Sequence, residues 1–333
     1  AGVPTDFGAP AGGAKLGLGG VEDFPWKDLL DFSTYTECGR CQDQFPAWNT
    51  DKPLSPKLLV LGLRDHAAAK APYLFAGGGK DLEGTEKLAE EKWLSLPDMV
   101  RAEAERPLVG TAEERGVIDP DVLWSCTTCG ACVEQCPVDI EHVDHIVDMR
   151  RYQVMIESSF PSEAGTMLKN LEKAQNPWGM QPKKRTEWIQ ELDFEVPVFG
   201  ETLDDISEVE YLYWVGCAGA LEDRAKKTTK AFAELLHIAG VKFAVLGGME
   251  SCTGDPARRL GNEFLFQMLG QGNVEMLNEV FGEDTPAKTK KIVATCPHCF
   301  NSLAREYPQL GGHYDVVHHT QLLDRLVSEG KLT

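Results

Sequence analysis

The chain has 333 residues, which is enough for two or three domains with cores of their own. Its 52 acidic and 33 basic side chains give a formal net charge of −19. This charge argues against nucleic acid as a partner, because a phosphate backbone needs a basic face. The acidic surface serves either solubility or the steering of a basic redox partner. No apolar run approaches the roughly 20 residues that span a bilayer.

The beginning of the chain is rich in Gly, Ala and Pro. Residues 1–20 lack the charged start of a signal peptide, so we interpret them as a flexible linker. Apolar residues at helical spacing then lead to the pair Cys38 and Cys41. Further helices are predicted at 57–69 and 140–157, with a charged, partly amphipathic segment at 85–105.

The strongest motif is a run of four cysteines, Cys126, Cys129, Cys132 and Cys136, closed by Pro137. Intervals of two, two and three residues followed by proline are typical of bacterial ferredoxin loops that bind iron–sulfur clusters. In such a loop three thiolates reach one cluster, and the fourth points towards a second cluster. Zinc ligands and cysteines used as small core residues are the alternatives, but neither has this spacing.

The segments around this run are predicted to be mostly helical. We therefore predict an α-helical ferredoxin-like domain over 21–175. His142 and His145 lie three apart on the helix that follows the run, which suits surface or cluster-packing histidines better than metal ligands. Residues 176–207 are predicted to be a linker. Its basic, proline-marked part at 176–185 is interpreted as a solvated connection, or alternatively as a docking strip.

The rest of the chain alternates strands with helices. Strands are predicted at 210–215, 241–246, 291–295 and 314–317, and helices at 225–239, 256–281 and 321–329. Short loops between them predict a parallel α/β domain over 208–333, so the fold class is α-helical followed by α/β. Cys217 and Cys296 each come just after a strand, at the edge where open α/β sheets place their sites.

A second set of cysteines lies in this α/β part, namely Cys217, Cys252, Cys296 and Cys299. Post-strand loops at one sheet edge converge, so the four thiolates can share an iron–sulfur cluster or a closed zinc site, or they are unrelated. The ten cysteines of the chain fall in groups and no signal peptide precedes them. This favours metal binding over disulfides and a reducing, cytosolic-side location.

Several segments carry a resemblance to a known family. They are the cysteine run at 126–137, ECGRC at 37–41, GCAG at 216–219, CTGDPARR at 252–259 and CPHC at 296–299. Together they resemble the cysteine-rich proteins related to heterodisulfide reductase. Within that group they are most similar to the actinobacterial membrane-bound iron–sulfur oxidoreductases that take electrons from electron-transfer flavoprotein. The resemblance covers nearly all of the chain after residue 20.

The resemblance implies an oxidoreductase component that conducts electrons. Reduced electron-transfer flavoprotein, fed by acyl-CoA oxidation, would pass electrons through the chain towards membrane quinone at the cytoplasmic face of the plasma membrane. Family members carry membrane helices with haem b before this region and a second cysteine-rich half after it. We therefore expect the chain to be the first soluble portion of a larger protein or a truncated relative. Haem b is expected only in the membrane part, and the α/β domain would be the first half of a duplicated unit.

Two other functions remain open at this point. One is a heterodisulfide or 2-hydroxy-acid-linked reductase subunit with its chemistry at the C-terminal cluster, and the other is a zinc-stapled interaction module. No catalytic triad, general base or substrate pocket is recognisable, so no catalytic residue is predicted.

The chain departs from the family where two cysteines of a first ferredoxin run are expected. Tyr35 and Phe45 occupy these positions, and Cys38 and Cys41 remain. If the fourth cysteine of each run crosses to the other cluster, Cys136 joins Cys38 and Cys41. Each ferredoxin-type cluster then keeps three cysteines, as a 3Fe–4S cluster needs. Alternatively, water, Tyr35 or a nearby carboxylate such as Asp43 completes a 4Fe–4S cluster.

A third departure concerns the C-terminal set. The wider family has a paired Cys-Cys-Gly where this chain has Cys252-Thr253-Gly254. The loss of a bridging thiolate argues against a five-cysteine non-cubane cluster. Four ligands suit a cubane cluster, or a linear cluster with two thiolates at each end.

Overall fold

The computed structural model describes residues 16–80 and 85–333. The chain forms two compact units. Unit 1 runs to Phe160 and includes Arg259–Gly261, and unit 2 comprises Pro161–Arg258 and Asn262–Thr333. The division after Phe160 lies 15 residues before the predicted domain end at 175, because the helix that follows packs within unit 2.

Unit 1 is built from short and medium helices. They are α1 (Trp26–Thr34), α2 (Arg40–Asp43), α3 (Pro56–Phe75), α4 (Glu90–Ser95), α5 (Asp98–Ala104), α6 (Pro120–Trp124), α7 (Ala131–Glu134) and α8 (His142–Met155). Two 3₁₀ turns, Val21–Asp23 and Trp48–Thr50, connect them. The predicted helices at 57–69 and 140–157 correspond to α3 and α8.

Helix α3 shows why the sequence folds in this way. The Ser55 hydroxyl accepts a hydrogen bond from the Leu58 backbone N–H, and Pro56 occupies the first turn, where it costs no hydrogen bond. Leu59 and Leu63 then face the core at helical spacing. The same core contains Leu18, whose backbone N–H donates to the carbonyl of Asp148. The predicted linker 1–20 is therefore packed at Leu18, while residues 1–15 lie outside the described residues.

Unit 2 contains the sheet. After α9 (Ser162–Ala174), the strands and helices are β1 (Tyr211–Trp214), α10 (Gly216–Leu221), α11 (Asp223–Ile238), β2 (Phe243–Ala244), α12 (Asp255–Leu260), α13 (Glu263–Phe281), β3 (Lys291–Ala294), α14 (Pro297–Asn301), β4 (Asp315–His318) and α15 (His319–Ser328). The 3₁₀ turns of this part are Pro182–Glu191, Ile206–Glu208, Gly247–Met249, Ala287–Thr289 and Tyr307–Leu310, and Ser302–Glu306 is a π-helical turn.

The four strands are all parallel, in the order β2-β1-β3-β4. Leu212 of β1 pairs with Ala244 on one side and with Ile292 on the other. Every residue of β1 is buried, as expected for a central parallel strand that is covered on both faces. The predicted α/β character of this region is confirmed.

The long helix predicted within 256–281 is present as α13, but a second helix, α12, occupies the start of that range. Helix α12 ends at Leu260, and Gly261 follows with a φ of +97°, which a right-handed helix does not accommodate. The side chain of Asn262 then accepts a hydrogen bond from the Leu265 backbone N–H and starts α13. Gly261 thus ends α12, and Asn262 starts α13.

Within 176–185, interpreted as a solvated connection, Lys183 and Lys184 are exposed, but Asn176 and Arg185 are buried. Asn176 is 1% exposed and Arg185 is 4% exposed. Trp188, which follows within the same 3₁₀ segment, belongs to the core of unit 2. Within residues 16–80 and 85–333, no helix has the length and apolar character that a membrane crossing needs.

Candidate functional site

The two cysteine-containing runs of unit 1 share one backbone conformation. Glu37 and Gly39 flank Cys38 with φ values of 58° and 78°, and Thr128 and Gly130 flank Cys129 with 56° and 75°. A one-turn helix follows each glycine, α2 in the first run and α7 in the second. These two helices lie against each other. The chain therefore folds both runs as the same cysteine loop, although the first has lost two cysteines.

Exposure of the cysteines repeats between the two loops. Cys38 and Cys129 are exposed, whereas Cys41 and Cys132 are buried. Backbone N–H groups reach other sulfurs of unit 1. The Thr128 N–H donates to Cys126 Sγ at 3.3 Å, and the Ile140 N–H donates to Cys136 Sγ at 3.3 Å. Such bonds stabilise the negative charge of a thiolate.

The six thiols of unit 1 influence one another electrostatically. Burial raises the pKa of Cys41, and the nearby Cys136 and Cys38 thiols raise it further. Burial likewise raises the pKa of Cys132 to about 12, with Cys126, Cys129 and Cys41 contributing. Cys136 of the second loop thus lies near Cys38 and Cys41 of the first. This is consistent with the crossed grouping of a pair of ferredoxin-type loops, which stays a prediction.

Tyr35 and Phe45, at the two positions without cysteine, lie in different environments. The Tyr35 hydroxyl is buried and has no hydrogen-bond partner within residues 16–80 and 85–333. Burial raises its pKa, and so do Cys41, Cys38 and Cys136 nearby. Phe45 is 3% exposed and belongs to the hydrophobic core of unit 1.

The two histidines of α8 are buried rather than on the surface. His145 Nε2 lies 3.5 Å from Asp28 Oδ1 and 3.5 Å from Asp31 Oδ2. Burial lowers the pKa of His145, but its close contacts with the two carboxylates outweigh burial and raise the pKa overall. Burial lowers the pKa of His142 to about 4. Lys27 Nζ also contacts Asp31 Oδ1 at 2.6 Å, so the histidine–carboxylate group forms an ion-pair network.

In unit 2, the elements that follow β1 and β3 carry three of the four cysteines. Cys217 lies in α10 directly after β1. After β3, Cys296 is the N-cap residue of α14, and Cys299 lies within that helix. These strands are parallel neighbours, so their carboxyl ends meet at one edge of the sheet. Cys252, in the loop before α12, is held there by two hydrogen bonds. Its N–H donates to the carbonyl of Gln175, and its own carbonyl accepts from Asn273 Nδ2.

The four thiols of unit 2 are close enough to influence one another. A hydrogen bond from the Cys252 thiol lowers the pKa of Cys217 against the effect of burial. A hydrogen bond from the Cys299 thiol lowers the pKa of Cys296 to about 6. The charges of Cys296, Cys217 and Cys252 in turn raise the pKa of Cys299. The lowered pKa of Cys296 favours its thiolate form at neutral pH, which is the form that binds a metal.

Thr253 occupies the position of the cysteine that is missing from the C-terminal set. It is 2% exposed, and its Oγ1 lies 3.9 Å from Cys299 Sγ. A hydroxyl contacts the sulfur at this point and no fifth thiolate is present there. The candidate metal donors at this site are therefore four cysteine thiols.

A buried arginine that the sequence analysis missed contacts this set. Arg185 Nη2 donates to Cys217 Sγ at 3.0 Å, and Nη1 donates to Glu250 Oε1 at 2.9 Å. The Glu250 carboxylate also accepts the N–H groups of Val215 and Gly216, at 2.9 and 2.8 Å. These bonds fix the backbone that leads from β1 into Cys217. The only sequence signal was the basic strip at 176–185, which does not reveal a partner.

Comparison with known proteins found one matching family model and several similar proteins. Residues 211–304, which contain all four cysteines of unit 2, match the family described as "Cysteine-rich domain". The chain is 42% identical, over 95% of its length and 42% of the relative, to the EtfAB:quinone oxidoreductase of Syntrophomonas wolfei subsp. wolfei. It is 40% identical to a probable iron-sulfur-binding oxidoreductase of Bacillus subtilis, over 96% of the chain and 45% of the relative.

A third relative is a probable membrane-anchored ferredoxin of Chromohalobacter salexigens, 35% identical over 96% of the chain and 44% of the relative. The chain spans less than half the length of these three relatives. No solved structure matches it.

Proposed function

We propose that this chain is an iron–sulfur electron conduit of an oxidoreductase, passing electrons from reduced electron-transfer flavoprotein towards membrane quinone. One observation carries the proposal. Unit 1 folds two matching cysteine loops, at Cys38 and Cys129, and the one-turn helices α2 and α7 that follow them lie against each other. Two adjacent iron–sulfur clusters in these loops would give single electrons a path through the unit. The names of the relatives in Syntrophomonas and Bacillus support the same activity.

The proposed ligands are the ten cysteines. Cys38, Cys41 and Cys136 would hold one ferredoxin-type cluster and Cys126, Cys129 and Cys132 the other. Cys217, Cys252, Cys296 and Cys299 would hold a third cluster in unit 2. Each bound cluster would supply reversible one-electron transfer.

The polypeptide would bind the clusters and set their electrostatic surroundings. Burial of Cys41 and Cys132 keeps water from one side of the proposed ferredoxin-type sites. The N–H donors of Thr128 and Ile140, and the guanidinium of Arg185, offset negative charge on their sulfur acceptors. Hydrogen bonds to cluster sulfurs and burial are the levers by which proteins adjust cluster potentials.

The location and the larger assembly belong to the proposal as well. The name of the Chromohalobacter relative supports an association with a membrane. We place the chain at the cytoplasmic face, with quinone reached through a haem b-containing membrane part, as the resemblance to the actinobacterial oxidoreductases implies.

Anaerobic mixing with chemically reduced electron-transfer flavoprotein tests this function. The cluster-loaded chain should be reduced, as followed by loss of its visible absorbance and by EPR. Cys129→Ser and Cys217→Ser should each slow or shorten the transfer, because each removes one thiolate from a different cluster. If the loaded chain accepts no electrons, or if neither substitution affects the transfer, the conduit is wrong. Turnover of a disulfide or 2-hydroxy acid by the isolated chain would instead support a reductase.

A further inference from the structure

We propose that the Tyr35 phenol oxygen binds the fourth iron of the cluster held by Cys38, Cys41 and Cys136, and that the cluster facing Phe45 has three irons. This inference rests on the proposed iron–sulfur function and assigns different compositions to its two ferredoxin-type sites. It concerns the side chains at the two positions where the matching loops lack cysteine.

The spacing places Tyr35 where the second loop has its first cysteine. Tyr35 precedes Cys38 by three residues, as Cys126 precedes Cys129, and the backbone conformations around Cys38 and Cys129 are the same. The thiols that act electrostatically on the Tyr35 hydroxyl are those of Cys41, Cys38 and Cys136. These are the three thiols that the crossed grouping assigns to a single cluster. Its loop position and these neighbours together place the Tyr35 side chain beside the set that lacks a fourth cysteine.

The Tyr35 hydroxyl is buried without a hydrogen-bond partner among the described residues. A buried hydroxyl left without a partner destabilises the fold, because it has lost its hydrogen bonds to water. A bond to iron would remove this cost, and tyrosine oxygen is an established iron ligand in proteins. A bound metal cation favours the deprotonated form of an oxygen that coordinates it.

Phe45 provides the contrast within the same unit. It stands directly before Pro46, as Cys136 stands before Pro137, so it occupies the place of the fourth cysteine of the first loop. Its ring is buried in the apolar core and carries no atom that binds iron. The site of Cys126, Cys129 and Cys132 is thus left with three thiolates, which suits a three-iron cluster.

The chemical step is a ligand exchange without electron transfer. The phenol O–H bond breaks and its proton goes to solvent. An oxygen lone pair then forms the bond to the fourth iron, in place of a water or hydroxide. Cluster assembly supplies the iron and sulfide, and the oxidation state of the iron is unchanged.

The experiment compares the wild-type full chain with Phe45→Cys and with a reciprocal pair of variants, Tyr35→Phe and Phe45→Tyr. Both conserve the ring, so folding is retained, and circular dichroism checks this. The readouts are iron and acid-labile sulfide per chain, and the EPR and Mössbauer signals of an oxidised three-iron cluster. The wild type should show about one three-iron cluster per chain.

Tyr35→Phe should lose about one iron atom per chain and double the three-iron signal, whereas Phe45→Cys should abolish that signal. Phe45→Tyr should weaken the signal by supplying the missing oxygen. Unchanged iron and an unchanged signal in Tyr35→Phe would overturn the role of Tyr35. A wild type without a three-iron signal would overturn the role of Phe45. A wild type without sulfide would instead refute the iron–sulfur function itself.

Discussion

The buried pair of Arg185 and Glu250 gives the sharpest stability prediction, through the substitution Glu250→Gln. Both side chains are 4% exposed, and their charges meet at 2.9 Å. Removing one charge of a buried pair usually costs about 3–5 kcal/mol, because the other charge is left uncompensated. Arg185 retains its bond to Cys217 Sγ, so we expect a loss near the lower limit, about 3 kcal/mol. For a unit of this size, that loss lowers the Tm by roughly 6–12 °C.

The assay is thermal unfolding followed by circular dichroism, with the same metal content in each sample. The matched control is Glu275→Gln, which removes the same charge from an exposed position in unit 2. The control should shift the Tm by no more than about 2 °C, since exposed charges contribute little. If Glu250→Gln shifts the Tm no more than the control does, the buried pair does not hold Cys217 in place as argued.

Two further predictions concern unit 1. Burial raises the pKa of Asp148 to about 6, so the folded state binds the proton more tightly than the unfolded state, and stability from this group falls as pH rises from about 4 to 6. Above pH 7, Asp148→Asn should therefore be more stable than the wild type by up to about 3 kcal/mol, and below pH 4 the two should be equally stable. Urea titrations at both pH values measure this difference. An equal gain in stability at both pH values would contradict the argument. Ser55→Ala removes the cap of α3 and should lower the free energy of unfolding by about 1–2 kcal/mol in the same titrations. The control Ser33→Ala, at an exposed position, should lower it by less than about 0.5 kcal/mol. Equal losses in the two variants would refute the capping role of Ser55.

Local patterns predicted most of the secondary structure. A Ser-Pro start and an apolar stripe predicted helix α3. A short apolar run before a glycine predicted strand β1. The predicted strand at 241–246 is shorter in the structure, where only Phe243–Ala244 pairs with β1. Its extent depends on its neighbour in the sheet. The break at Gly261 had a local signal in its Gly-Asn pair, which the continuous apolar pattern concealed.

The candidate ligands were accessible from sequence because cysteine is rare and its intervals are informative. The buried pair was not, since Arg185 and Glu250 are 65 residues apart and neither position has a distinctive spacing. Similarly, nothing local in the sequence shows that Asp28 and Asp31 face His145 across more than 110 residues of chain. The different surroundings of Tyr35 and Phe45 also needed the fold, because they depend on which thiols the two loops bring together.

The most direct test of the account is the anaerobic measurement of iron, acid-labile sulfide and zinc in the purified full chain. Two ferredoxin-type clusters and one cluster in unit 2 predict about 10–12 iron atoms per chain, with a comparable amount of sulfide. Cys217→Ser should lower both by about one cluster. Stoichiometric zinc without sulfide would contradict the account and favour a zinc-stapled module.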